Sequence, residues 1–375
     1  MDYYKKYNLK EVINASGKMS ILGVSKYSEN VIKAQKFGGQ QFFEMEDLVQ
    51  KTGQYIAKLV DAEDSTIVSS ASAGIAQSVA AIIGKGSHYH LYHPYTDRVT
   101  QREIILPKGH NVDYGTPIET MIELGGGKVV EAGYANMCSS QHIASMITPE
   151  TAAILYVKSH HTVQKSMLSI KEALQVAHEH QLPLILDAAA EEDLVTYISK
   201  GIDLVIYSGA KAFEGTSSGI VFGKTELIEW VRLQSKGIGR AMKIGKENIL
   251  GLATAIEDYI EQDNESAEQM KKRLAPLVEE LNSIKGITCS VAQDKAGRTI
   301  FRAKLMVNDE APLNASQLVE ELKTGNPAIY TREYEMNNGI IEFDIRAVTK
   351  DEMLKIGTRV KEIVALYEKE GKIHE

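Results

Sequence analysis

The chain has 375 residues, 43% hydrophobic and 25% charged, the balance of an ordinary folded protein with room for one large core and a smaller second domain. Lys and Arg number 42 against 50 Asp and Glu, and the formal net charge of −8 disfavours broad attraction to nucleic-acid backbones. Cys138 and Cys289 stand too far apart to suggest a disulfide framework, the first seven residues lack the apolar core of a signal peptide, and no apolar run approaches the roughly 18 residues of a membrane span, so a cytoplasmic chain without a membrane partner is expected.

Residues 1–45 read as an N-terminal arm with a helix from Ser28 to Lys36. The polar and aromatic run Gln40 to Met45 precedes a helix from Leu48 to Leu59, as a hydrophobic staple would. Ser65 to Gly74 reads as a short strand turning into a helix that continues through Ala80 and Ile83, and taken alone its hydroxyl residues are N-cap material. His88, His90 and His93 form an H-x-H-x-x-H cluster in what reads as strand and loop. Without acidic or thiol ligands nearby they are surface or core histidines, and no metal is expected. Strand Glu103 to Pro107 ends at Lys108, Gly109 and His110. From Ile118 helices and strands alternate: a helix to Leu124, a strand at Lys128 to Glu131, a helix around Ser140 to Ile147 and a strand at Ala152 to Val157. Such alternation argues for right-handed βαβ units and a parallel sheet. The last of these strands ends at Lys158, Ser159, His160 and His161, on the edge where open α/β sheets bind ligands. Substrate contact, proton transfer and a structural role all remain open for the histidine pair.

The most informative stretch follows the helix Ile170 to His180. Leu182 to Leu186 and Ile202 to Tyr207 read as two buried strands, the first ending in Asp187 before Ala188, Ala189 and Ala190, the second in Ser208, Gly209, Ala210 and Lys211. A lone Asp there is often a helix cap, and a lone Lys usually a solvated loop residue. A carboxylate and an amine delivered to one sheet edge suit pyridoxal 5′-phosphate. That cofactor needs a lysine amine to condense with its aldehyde and a carboxylate to keep its pyridine nitrogen protonated. The tail from Gly215 and Thr216 to Gly219 allows close approach of backbone to a phosphate or a neighbouring subunit. With Lys211 in view, Ser72, Ala73 and Gly74 become candidates for the phosphate at a helix N-terminus, with Ser208 adding a hydroxyl.

Beyond Lys224 a helix from Glu226 to Gln234 leads into the cationic, glycine-punctuated run Lys236 to Lys246, where Arg240, Lys243 and Lys246 face either an anionic substrate or solvent. A long helix from Glu247 to roughly Ile260, with its continuation through Glu265 to Leu281, connects to strands at Thr288 to Val291 and Thr299 to Met306 and helices at Ala315 to Lys323 and Asp351 to Glu368. The division expected is an arm at 1–45, a large domain at 46–262 and a small α/β domain at 263–375.

Three segments together resemble one family: Val12-Ile13-Asn14-Ala15-Ser16-Gly17, the pattern from Arg102 through Lys108-Gly109-His110 to Gly115, and Ser208-Gly-x-Lys211 with Gly215 and Gly219. The likeness, which spans most of the chain, is to the selenocysteine synthase (L-seryl-tRNA selenium transferase) group of fold-type-I pyridoxal phosphate enzymes. It implies an aspartate aminotransferase-like fold: a large, mostly parallel sheet domain plus a small C-terminal α/β domain. It further implies that His110 stacks on the cofactor, that Arg346, ending the strand Ile341 to Ile345, holds a substrate carboxylate, that Arg240 contacts substrate, and that part of the 40–45 run lines a neighbouring subunit's site. Because fold-type-I sites are completed by a second subunit, a homodimer or higher oligomer is expected. Within the group the resemblance is to a shorter branch of ammonia-lyases acting on a phosphorylated amino sugar acid, since the tRNA-using members carry an additional N-terminal domain. The competing readings are a selenium transferase acting on seryl-tRNA and a non-catalytic module that keeps the cofactor.

Overall fold

A computed structural model describes residues 2–159, 162–261, 265–294 and 299–371. The chain divides into two compact units, residues 27–262 and residues 1–26 with 263–375, so the segment 1–45 expected as one arm is shared between them. The first strand, β1 (Val12–Asn14), belongs to the smaller unit.

The larger unit is built on a sheet of β2 (Asp64–Val68), β3 (Glu103–Pro107), β4 (Lys128–Ala132), β5 (Thr151–Val157), β6 (Leu184–Asp187), β7 (Leu204–Ser208) and β8 (Gly219–Gly223), in the order β2-β8-β7-β6-β5-β3-β4. β8 runs antiparallel to both of its neighbours, and the other ladders are parallel. The central strands read as continuous apolar runs because both faces are covered. Leu184 and Leu186 pack into one core with Val205 and Tyr207, while Ile185 packs into a second with Leu204 and Ile206. The period of two thus feeds two helical layers from one short sequence.

Helix boundaries follow the caps. Ser28 accepts from the Val31 amide to start Glu29–Gln40, and Ser70 accepts from Ala73 to start Ala71–Gly84. Two of the three clustered histidines lie on a helix, His88–Tyr92, with His93 just past its end, rather than in a strand, because the Ser87 hydroxyl caps the His90 amide. Phe43 packs on the main core, while Phe42 is 99% exposed beneath the Lys246 ammonium.

In the smaller unit β9 (Ile287–Gln293), β10 (Phe301–Val307) and β12 (Ile340–Phe343) form an antiparallel sheet in the order β12-β10-β9, and β11 (Ala328–Tyr330) pairs in parallel with β1. The N-terminal segment is therefore part of this unit's core, with Ile13 and Ala15 packed among Leu274, Phe343 and Ile345. The long helix expected from Glu247 to roughly Ile260 and its continuation through Glu265 to Leu281 are two separate helices, Lys246–Glu261 and Ala267–Asn282. The second begins at a capping box in which Ser266 and Gln269 exchange side-chain and backbone bonds.

Candidate active site

Asp187 is the last residue of β6 and stands beside Ile206 of β7, whose carbonyl accepts from the Ala188 amide at 2.9 Å. Lys211 follows β7 in a loop closed on itself, with the Gly209 amide donating to Ser218 and the Gly215 amide to Gly209, each at 2.9 Å. That closure fixes where the lysine stands. Burial raises the Asp187 carboxyl above its usual range, opposed by the Ala189 amide on Oδ1 at 3.0 Å and by the charge of Lys211. Burial likewise lowers the Lys211 ammonium, opposed by Asp187. Among the described residues the Lys211 amine has no hydrogen-bond partner.

The N-terminus of helix Ala71–Gly84 completes the cluster. Gly219, the first residue of β8, lets the strand pass so close that a Cβ there would sit 2.6 Å from both the Ala71 nitrogen and the Ser70 carbonyl carbon. Of the three residues expected at the phosphate, Ala73 and Gly74 have committed amides, the first to Ser70 Oγ and the second to the Ser70 carbonyl. Gly74 also packs on Ile206 and Val221 of the sheet. The helix pattern leaves the amides of Ala71 and Ser72 without a backbone acceptor.

Other expected residues have different surroundings. His110 is 0% exposed, its ring edge-on to Tyr156 at 4.5 Å between centroids, and no ring face is open for stacking. Gly215 and Thr216 are buried. The Thr216 hydroxyl donates to the Asn248 carbonyl at 2.8 Å, which makes these two residues supports of the loop. Ser208 ends β7, half-buried, opposite Gly219. Arg240 is exposed, at the rim of a cavity of about 560 Å³ shared with Arg232, Lys236, Lys243 and Gln77. Arg346 belongs to the smaller unit, bound to Asp344 by Nε at 3.0 Å and Nη2 at 2.9 Å. His160 and His161 lie outside the described residues.

Sequence reasoning missed Tyr114. Its hydroxyl lies 3.3 Å from Ser72 Oγ, and the charge of Asp187 reinforces the rise that burial imposes on its phenol. The ring therefore lies by the helix N-terminus. Its position in a loop, away from any periodic segment, gave no local signal.

An unpartnered amine, a buried carboxylate and open helix-terminal amides fit pyridoxal 5′-phosphate: an aldehyde for Lys211, a protonated ring nitrogen for Asp187, a phosphate for Ala71 and Ser72. Among the described residues no cluster of His, Cys, Asp and Glu could hold a metal ion, and no helix is long and apolar enough to cross a membrane.

Known proteins resemble the chain along nearly its whole length. The chain is 45% identical over 362 residues to a D-glucosaminate-6-phosphate ammonia lyase of Salmonella typhimurium, covering 96% of this chain and 97% of that one. It is 36% identical over 366 residues to a 5′-C-glycyluridine monooxygenase-decarboxylase of a Streptomyces species, covering 96% and 92%. A solved structure of a D-glucosaminate-6-phosphate ammonia-lyase superposes with a TM-score of 0.93 at 44% identity, covering 98% of this chain and 99% of that chain. The architecture is that of the fold-type-I pyridoxal phosphate enzymes. Residues 46–311 match the family model described as SelA, L-seryl-tRNA selenium transferase, and the chain belongs to that family.

Proposed function

We propose that the chain is a pyridoxal phosphate-dependent ammonia-lyase that converts D-glucosaminate 6-phosphate to 2-keto-3-deoxygluconate 6-phosphate. The observation that carries the reading is the 45% identity to a lyase of that name along nearly the whole of both chains. When bound, pyridoxal phosphate supplies an electron sink for the bond that the α-carbon gives up.

The chain's own residues account for the rest. Lys211 would attach the cofactor, and its lowered pKa keeps a share of the amine unprotonated, as condensation with an aldehyde requires. Lys211 would also serve as the base that takes the α-proton. Asp187 would hold a proton on the ring nitrogen. The amides of Ala71 and Ser72, the Ser72 hydroxyl and Tyr114 would face the phosphate. The β-hydroxyl leaves with a proton as water. The released product then tautomerises and takes up one water as it loses ammonia, so the net change is loss of ammonia alone. Arg346 would hold the substrate carboxylate and Arg240 an anionic group of the substrate, and His160 and His161 would contact the substrate. The site would work within a homo-oligomer in the cytoplasm.

The test is to incubate the purified, cofactor-loaded protein with D-glucosaminate 6-phosphate and measure ammonia and keto acid together. Equal yields of both, abolished in Lys211→Ala, support the reading. A cofactor-loaded protein that releases neither product from this substrate but consumes seryl-tRNA overturns it.

A further inference from the structure

Asn111 ties a loop of the larger unit to a helix and to a strand through one side-chain amide. Its Nδ2 donates to Glu119 Oε2 at 3.0 Å and to Glu131 Oε1 at 2.9 Å. Glu119 stands in the first turn of helix Ile118–Leu124, and Glu131 on β4, the edge strand of the sheet. Both protons of the amide are used, and one orientation alone serves: turned over, the carbonyl oxygen would meet two carboxylates with no donor between them. Lys108 Nζ lies 2.9 Å from Glu131 Oε2 and so holds the other oxygen of the same carboxylate. The bonds of Asn111 and Lys108 keep the Glu131 carboxyl below its usual range, against the push of burial.

The clamp closes the two ends of a loop. Inside it the Ile118 amide donates to the Val112 carbonyl at 3.1 Å and the Tyr114 amide to the Thr116 carbonyl at 3.3 Å. Asp113 Oδ1 accepts from the Gly115 amide at 2.7 Å, and Gly115, at φ +117°, turns the chain at the tip. Ile118 is fully buried, whereas Asp113 and Gly115 are exposed. Tyr114 leaves this tip half-buried, with its hydroxyl 3.3 Å from Ser72 Oγ. An exposed tip on free ends is ordinarily mobile. Here two bonds from one amide limit how far the legs of the loop can part, and with them how far the phenol can swing from the helix N-terminus.

We propose that Asn111 is a positioning residue that holds Tyr114 against the N-terminus of helix Ala71–Gly84 and thereby sets the affinity of the site for the cofactor's phosphate. The proposal rests on the reading of Tyr114 given under Proposed function. Asn111 acts at one remove: its amide fixes the legs of the loop, and the legs fix the phenol. Loss of the clamp therefore weakens ligands that carry the phosphate and leaves a phosphate-free analogue unaffected.

The test uses the full chain freed of cofactor and two probes that differ in the phosphate alone, pyridoxal 5′-phosphate and pyridoxal, with dissociation constants taken by fluorescence titration. Asn111→Asp exchanges one nitrogen for oxygen and turns the donor into a third carboxylate. It is expected to weaken pyridoxal 5′-phosphate on the order of fivefold while pyridoxal stays within about twofold. Tyr114→Phe is expected to shift the ratio of the two constants by a similar factor, and the double variant by no more than the larger single change, because Asn111 acts through Tyr114. Asn111→Asp combined with Glu119→Gln and Glu131→Gln reverses the clamp, two amides now donating to one carboxylate, and is expected to restore the ratio.

A ratio unaltered in Asn111→Asp overturns the proposal even if the variant is less stable, since a merely structural role lowers stability without changing selectivity. Losses that add in the double variant overturn it too. Where Asn111→Asp fails to fold, Asn111→Ala, which removes the donor without adding a charge, is read by the same ratio. If Tyr114→Phe shifts the ratio and the Asn111 variants do not, positioning alone is refuted. A ratio unaltered in Tyr114→Phe takes the phenol away from the phosphate, and the reading of Tyr114 falls together with the proposal.

Discussion

Asp187 and Lys211 stand at the same end of neighbouring parallel strands, coupled through space: burial drives both toward their neutral forms, and each holds the other's charge against it. Neither group needs the other as a hydrogen-bond partner, which leaves the amine open to an aldehyde and the carboxylate to a ring nitrogen. Lys211→Ala is expected to abolish the visible band of the lysine-linked cofactor and to lower kcat by about two to four orders of magnitude. Asp187→Asn, which keeps the shape and loses the charge, is expected to retain the band and to lose kcat on a similar scale. An Asp187→Asn enzyme with undiminished kcat would remove the carboxylate from the mechanism.

Tyr114 and Ser72 make a pair that local sequence cannot reveal, 3.3 Å apart between hydroxyl oxygens although 42 positions apart in the chain. If both face the cofactor, Tyr114→Phe and Ser72→Ala each weaken its binding by about 1 kcal/mol, roughly fivefold in Kd, the usual worth of one hydrogen bond. Fluorescence titration of the cofactor-free protein with pyridoxal phosphate measures this. The double variant is expected to lose less than the sum of the two, because the hydroxyls share one bond. Full additivity would mean that they act separately.

Gly219 connects packing to the same site. Its backbone runs against Ser70 and Ala71, and any side chain there must push β8 away from the helix N-terminus. Gly219→Ala is expected to raise the cofactor Kd on the order of tenfold and to lower stability by about 1–3 kcal/mol through overpacking. A variant that loses stability but binds the cofactor normally would show that the helix N-terminus does not carry the phosphate.

What the sequence made legible follows from where the signal is local. β5, β6 and β7 read as strands because a sheet covered on both faces demands unbroken apolar runs, and Asp187 and Lys211 stood out because a charge ends each run. The sequence placed a helix start at Ser28 and cap material in the run 65–74, where the cap is Ser70. Long-range relationships gave no such signal. The pairing of β1 with β11, which draws the N-terminal segment into the smaller unit's core, joins residues more than 300 positions apart. The helix at His88–Tyr92 is too short for its periodicity to show, and the break before Ser266 falls in a polar stretch where one helix and two look alike. His110 was placed correctly at the end of β3, but its complete burial depends on Tyr156 and Val157 of β5.

That burial makes His110 a pH probe of the fold. Desolvation lowers its imidazole from 6.5 to about 4, and the Val157 amide donates to Nδ1 at 3.4 Å, a bond that requires this nitrogen to be unprotonated. In the unfolded chain the ring takes up a proton near pH 6.5. Between that pH and about 4 the unfolded state therefore binds the extra proton, and stability falls as pH falls. The contribution is fully present above pH 6.5 and declines by about 3 kcal/mol by pH 4. Burial lowers His90 too, so it adds a loss of the same sign, and carboxylates add theirs. The comparison that isolates His110 is urea unfolding of the unaltered protein and of His110→Gln at pH 7 and at pH 4. The stability difference between the two proteins is expected to narrow by about 3 kcal/mol at the lower pH, because the glutamine has no proton to gain. A difference that stays constant from pH 7 to pH 4 would show that the buried ring accommodates its charge, and so that water or an acceptor reaches it in the folded protein.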